Sequence, residues 1–256
     1  MIEFQGLAKN YGNFHAVKPL TLSVARGEVF GFLGPSGAGK TTTIRMMMGI
    51  LAPSSGQVGI DGLDCHGHRA EVKRRIGYLP DNPIFYDYLR GREILQFAGE
   101  MHGFPRSLAA ARADQLLKEF ELDDATEEFA VNYSFGMKKK LGLACALIHD
   151  PQVLILDEPL KGLDPRSARD MQERLQNSAA QGKTIFVSTH LPVMAERFCS
   201  RVGIIHHGEL IAAGNLREIK SIVVSGSSLE DAFVKIADEA NQNAPMSALS
   251  LVRAAA

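Results

Sequence analysis

Nothing in the sequence approaches 18 consecutive apolar residues, so no segment reads as a membrane-spanning helix. Nor does one sign of charge dominate: 28 Lys and Arg stand against 29 Asp and Glu, and the formal net charge is −1. No global basic field argues for a nucleic-acid partner, and none is expected. The start, Met1-Ile2-Glu3-Phe4, lacks a basic stretch followed by an apolar one, so no secretory signal is expected. Only three cysteines occur, Cys65, Cys145 and Cys199, far apart and without a C-x-x-C. They fit reduced cytosolic thiols, with Cys145 buried in an apolar helical run, and neither a disulfide frame nor a metal site. His66, His68, His206 and His207 are too scattered for a metal set and read as surface residues. What is left is a globular chain of 256 residues, long enough for one large α/β domain or a domain with a small second lobe.

One stretch organises that chain. Gly34, Pro35, Ser36, Gly37, Ala38, Gly39, Lys40, Thr41 and Thr42 follow the apolar run Val29 to Leu33 and precede a helical pattern from Thr41 to Leu51. The spacing is G-x-x-x-x-G-K-[ST] between a strand and a helix. Its glycines let the backbone curl so that several N–H groups converge on an anion. The helix that starts at Lys40 adds its positive dipole end. Lys40 supplies a full charge to the β- and γ-phosphates, and the Thr41 hydroxyl can ligate Mg²⁺.

Around that stretch, residues 1–27 read as short strands with a turn at Lys9 to Asn13 that carries Tyr11, an aromatic able to stack on a base. A turn at Pro53 to Gly56, a strand from Gln57, a short helix ending at Lys73-Arg74-Arg75 and a strand Ile76 to Pro80 follow. From Ile84 the periodicity becomes helical, over Gly91 to His102, Ser107 to Phe120 and Met137 to Ile148, an insert of about sixty residues. The run Lys138-Lys139-Lys140 reads as a solvated helix face. Val153 to Pro159 and Thr184 to His190 are apolar on both faces and belong inside a parallel sheet, with a helix over 165–180 between them. A helix over 191–199, a hairpin around His206-His207-Gly208 and an amphipathic helix from Ser228 to Ala237 close the pattern.

Parallel strands place ligands at their C-terminal ends. Three strands here end in Gly34–Thr41, in Asp157-Glu158 and in Thr189-His190. If those strands are neighbours, their ends converge on one phosphate site. Asp157 is then a natural water-mediated ligand of Mg²⁺. Glu158, one residue further, is free to polarise a water as general base. His190 can hydrogen-bond the γ-phosphate and hold Glu158 in place.

Five segments together resemble a known family: Gly34–Thr42, Tyr133-Ser134-Phe135-Gly136-Met137, Leu154 to Pro159, Gly162-Leu163-Asp164-Pro165 and Thr189-His190. In order and spacing they are similar to the nucleotide-binding subunit of ATP-binding cassette (ABC) transporters, from about residue 2 to about residue 238. Residues 133–137, the family's signature segment, are the most specific part. Tyr11 falls at the family's adenine-stacking aromatic. Tyr-Ser-x-Gly-Met, with Ser-Leu-Glu-Asp-Ala-Phe at 228–233, resembles exporter ATPases whose membrane subunit is a separate protein.

The resemblance implies an α/β fold: a P-loop NTPase core with a mainly parallel sheet, an N-terminal antiparallel β subdomain and an inserted α-helical subdomain at about 84–150. One ATPase domain would span 1–238, followed by a loosely ordered tail over 239–256. It implies ATP and Mg²⁺ as ligands. Two subunits, as homodimer or heterodimer, would sandwich two ATP molecules, each between Gly34–Thr42 of one copy and Ser134 and Gly136 of the other. Ser134 is a good N-cap and Gly136 leaves its N–H open, so that helix N-terminus suits an anion. Asp164 would touch the opposite subunit. Asp81 stands where the family commonly has Gln, and can approach Mg²⁺ through water; Phe135 stands at a position that is often Gly. A permease in the membrane would be the partner, reached from the cytoplasmic face through a groove in Pro83 to Leu89. The alternatives are a soluble ABC ATPase of translation or DNA maintenance, against which a single cassette without coiled-coil inserts speaks, and a non-hydrolysing regulatory subunit, against which Glu158 speaks.

Overall fold

The computed structural model describes residues 1–222 and 228–241, so most of the tail expected over 239–256 lies outside the described residues. Contacts divide the chain into two compact units, Met1–Lys73 with Gln176–Ala256, and Arg74–Leu175.

The first unit begins with a long hairpin, β1 (Ile2–Tyr11) and β2 (Phe14–Val24). Alternation decides its faces: Ile2, Phe4, Leu20, Leu22 and Val24 are buried, while Glu3, Gln5, Thr21 and Ser23 are exposed. The expected short strands are thus one continuous pair, and the turn is narrower than expected, at Gly12-Asn13. Next come β3 (Val29–Leu33), α1 (Lys40–Met47), β4 (Ser55–Ile60) and the two-residue β5 (Leu63–Asp64). Strands β2-β1-β4-β5 form an antiparallel sheet. The helix expected to reach Leu51 stops at Met47, because Gly49 takes a φ of 62° against the carbonyl of Cys65. Helix α2 (Arg69–Arg75) leads into the second unit.

There, β6 (Ile76–Leu79) is followed by α3 (Gly91–Met101), α4 (Arg106–Glu119), two 3₁₀ turns, α5 (Phe135–Leu147), β7 (Val153–Asp157) and α6 (Pro165–Ala180). Strands β6 and β7 pair in parallel, with Leu79 opposite Leu156. Helix α3 packs on α4 and α5, and Arg92 forks onto both oxygens of Asp114 at 2.5 and 2.9 Å.

The first unit resumes with β8 (Thr184–Thr189), α7 (Pro192–Phe198), β9 (Arg201–His206), β10 (Glu209–Asn215), α8 (Leu216–Lys220) and α9 (Leu229–Asn241). Strand β3 lies parallel between β8 and β9, every residue of it buried, as expected for a central strand. Its core is aromatic: Phe4, Phe30 and Phe32 surround Phe186 with ring centroids 5.4–6.1 Å away. Each such ring contributes about 1.5–3 kcal/mol by burial. Helix α8 was not expected, although Asn215 and Glu218 form a reciprocal capping box that the sequence contains.

Candidate functional site

In the first unit the register of β3 and β8 sets Leu33 beside Thr189, and the Gly34 N–H donates to the Thr189 carbonyl at 3.2 Å. Two of the three strand ends singled out in the sequence are therefore side by side, with His190 exposed one residue beyond. Between Gly34 and Lys40 the chain makes a tight cradle. Gly39 sits at φ 109°, with the carbonyl of Ala16 only 2.6 Å from where a Cβ would stand. A Cβ on Gly34 would run into the Ile205 carbonyl. Both positions exclude side chains, which is why the loop reads G-x-x-x-x-G. The Gly208 N–H, from the β9–β10 turn, donates to the Ala38 carbonyl at 3.0 Å and braces the cradle from behind.

Lys40 is buried, and its Nζ donates to the carbonyls of Gly34 at 2.6 Å and Pro35 at 3.1 Å, folding back over the loop. Helix α1 starts at Lys40 with no side-chain cap and no acid in its first turn. Its N-terminal N–H groups and dipole point at the concavity. A cation, the N–H groups of a helix start and glycine-shaped space fit a polyphosphate. Thr41, at the mouth, is exposed and fits a Mg²⁺ ligand. Tyr11 ends β1 opposite Phe14, two residues before Ala16, and is 52% exposed, with Lys9 Nζ 5.3 Å from its ring centre.

In the second unit, the pairing of β6 with β7 brings Pro80-Asp81 level with Asp157-Glu158. Asp157 is the last residue of β7 and is buried. Glu158 is also buried and has a φ of 49°, left-handed for a residue with a side chain. Lys139 corrects the sequence reading of a solvated lysine run. It is 0% exposed, and its Nζ donates to the carbonyls of Glu158 at 2.8 Å, Pro80 at 3.3 Å and Asp157 at 3.4 Å. Burial pulls its ammonium down to about 8, against the pull of the Asp81, Asp157 and Glu158 carboxylates. The signal was periodicity: Lys139 lies three, four and seven residues before Gly142, Leu143 and Ala146, all buried on α5.

Asp81 pairs with Lys161 at 2.9 Å, and this contact, foremost among several carboxylate influences, raises the Lys161 ammonium. Lys161 had no place in the sequence reading. Ser134 caps α5, its Oγ accepting from the Met137 N–H at 3.2 Å, and no acid occupies the first turn. Gly136 faces Leu163. Phe135, the bulky departure, rests against Gly162, where a Cβ would meet its ring at 2.5 Å. Asp164 caps α6 through the N–H groups of Arg166 and Ser167, and hydrogen bonds to Ser167 hold its carboxyl below the usual range. Burial pushes the Cys65, Cys145 and Cys199 thiols up to about 12, so none is a nucleophile at neutral pH. The segment Pro83 to Leu89 is partly exposed: Ile84, Tyr86 and Tyr88 stand out, and a groove of about 610 Å³ is lined by Tyr86, Asp87, Tyr88, Leu89 and Phe97.

A family model described as ABC transporter matches residues 17–161. The chain is 41% identical over 206 residues to an uncharacterised ABC transporter ATP-binding protein of Nostoc, covering 80% of this chain and 61% of that protein. It is 40% identical over 212 residues to a bacitracin transport ATP-binding protein of Bacillus licheniformis, covering 82% and 68% of the two. A daunorubicin resistance ATP-binding protein of Streptomyces coeruleorubidus is 37% identical over 220 residues, 86% of this chain and 70% of that one. Among solved structures, an ATP-binding subunit of an ABC transporter superposes with a TM-score of 0.85 at 32% identity, covering 92% of this chain and 99% of that one. A dimeric bacterial ABC transporter cassette superposes at 0.78 with 25% identity, over 85% and 99% of the two.

Proposed function

The chain belongs to the ABC transporter family, and from that premise we propose that it is the ATP-binding and ATP-hydrolysing subunit of a membrane exporter. The observation that carries this is the cradle at Gly34–Thr42, with Lys40 turned back onto its own carbonyls and α1 uncapped. A triphosphate offers Lys40 a better partner than two carbonyls, because a full negative charge attracts an ammonium more strongly than carbonyl dipoles do. In this reading Ser36, Gly37 and Gly39 hold the phosphates through backbone N–H groups, Pro35 and Ala38 shape the loop through the bond from the Ala38 N–H to the Pro35 carbonyl, Thr42 lines the same helix start, and Tyr11 stacks on adenine. Mg²⁺, when bound, neutralises charge on the β- and γ-oxygens. Thr41 and Asp157 would hold it, joined by Asp81 only once that carboxylate leaves Lys161.

Glu158 takes the proton from the attacking water, and His190 orients Glu158 and the γ-phosphate. Ser134 and Gly136 present the α5 N-terminus to the nucleotide held by a second copy or a paralogue. Closure of the pair on ATP and reopening after hydrolysis would drive a permease at the cytoplasmic face of the membrane, where this subunit would sit peripherally. The exposed Ile84, Tyr86 and Tyr88 beside their groove suit the permease's cytoplasmic helix. The bacitracin and daunorubicin relatives, by their names, serve transport and resistance, which favours export.

Single-turnover hydrolysis of ATP by the wild type and by Glu158→Gln tests the chemistry. The wild type is expected to hydrolyse bound ATP and the variant to hold it intact; equal hydrolysis by both would remove Glu158 as the base. Charging Tyr88 is expected to abolish association with the permease while sparing ATP binding, and loss of folding instead would count against the groove.

A further inference from the structure

Lys139 is the one fully buried cation among the described residues. Its ammonium has three N–H donors, and three main-chain carbonyls receive them, those of Pro80, Asp157 and Glu158. Taking an ammonium out of water is unfavourable unless its donors are satisfied, and an apolar side chain of similar volume would leave the three carbonyls without this donor. Three backbone acceptors from the ends of two strands are therefore tied to one point by a single ammonium. Glu158, whose carbonyl lies nearest, is in the left-handed region, which a residue with a side chain seldom keeps without outside support.

The same ammonium stands 5.9 Å from the centre of the Phe135 ring, at the first turn of α5, and Phe135 in turn rests on Gly162 in the loop after Glu158. One lysine thus joins the end of β6, the end of β7 and the helix that Ser134 caps.

We propose that Lys139 is a positioning residue: it locks the Asp157-Glu158 turn in the backbone conformation from which Glu158 works, and couples that turn to the Ser134–Gly136 end of α5. The role rests on the reading of Glu158 as general base. The three N–H donors of Lys139 are taken up by main-chain carbonyls, which leaves none for nucleotide or for the attacking water. It acts by fixing where the Glu158 carboxylate stands, so its loss falls on turnover and not on nucleotide affinity.

Steady-state ATP turnover of the full-length chain tests this with Lys139→Met, Lys139→Gln and Glu158→Gln beside the wild type. Methionine keeps the stem without donors, and kcat is expected to fall about tenfold or more with the KM for ATP within about twofold. Glutamine keeps an amide donor and is expected to retain about a third of the turnover. Wild-type kcat in Lys139→Met, or a loss that appears in KM with kcat intact, would overturn the proposal. If Lys139→Met fails to fold by thermal melting, Lys139→Gln decides by the same split of kcat from KM. Should Glu158→Gln turn over like the wild type, the general-base reading fails whatever Lys139 does. Should Glu158→Gln be inactive and the Lys139 variants fully active, only the role of Lys139 fails.

Discussion

The cradle at Gly34–Thr42 and the turn after β7 both present polar groups at the end of a buried parallel strand, yet they are held in opposite ways. The cradle is held largely by itself. Lys40 reaches carbonyls five and six residues back, and Gly34 and Gly39 clear the space that the backbone needs. The turn is held from afar. Lys139 reaches across 18 and 19 residues to Asp157 and Glu158, and Lys161 across 80 residues to Asp81. A loop held mostly by its own residues, with the Gly208 N–H and the Thr189 carbonyl as its outer braces, depends less on distant side chains. A turn braced by distant side chains depends on the rest of its unit being in place, and that makes it the natural point at which conformational change alters chemistry.

Variants that separate the two regions sharpen this contrast. The largest effect is expected from Glu158→Gln, which removes the proposed base and leaves the cradle whole. Turnover should fall about 10²–10⁴-fold with ATP affinity nearly unchanged, read from kcat beside a nucleotide titration. Lys40→Ala does the reverse. It should weaken ATP binding about tenfold to a hundredfold, the equivalent of one or two lost charge-assisted contacts, measured by calorimetry. If Lys40→Ala lowered kcat alone, the division of labour would be wrong.

The brace between Asp81 and Lys161 should matter far less to stability. Both side chains are more than a third exposed, so solvent screens the pair, and a double-mutant cycle of Asp81→Asn and Lys161→Met should give a coupling of about 0.2–1 kcal/mol that shrinks in salt. A coupling several times larger would make this ion pair a structural support equal to Lys139.

The smallest effect concerns pH. His102 stacks on His149 with ring centres 3.5 Å apart, and burial lowers its pKa below the ordinary 6.5. The unfolded chain therefore binds the proton more readily. Stability from this site is full above about pH 6.5 and declines as pH falls below it. The melting temperature should drop between pH 7.5 and 5.5, and drop less in His102→Phe. An equal drop in both would assign the acid sensitivity to other groups.

The contrast between the two regions also marks what the sequence could disclose. The cradle was legible because its determinants are local: two glycines, a lysine and a strand on one side with a helix on the other. The strands from Val153 and Thr184 were legible because they are apolar on both faces, and α6 matched its expected 165–180. A run of three lysines reads as solvated, whereas the phase of Lys139 with Leu143 and Ala146 sets its burial. Lys161 was overlooked because nothing near it in sequence pairs with it; its partner comes from the end of another strand. The hairpin of β1 and β2 was read as shorter pieces because register shifts between Phe4 and Asn10 interrupt its alternation.

Above all, we propose that Gly34–Thr42 is half of a site, completed by Ser134 and Gly136 of a second copy. ATP hydrolysis per subunit, followed as the full-length chain is diluted at saturating ATP, tests it most directly. The prediction is a specific rate that falls as pairs dissociate, while ATP remains bound. A specific rate that stays constant down to concentrations at which the chain is monomeric would contradict it.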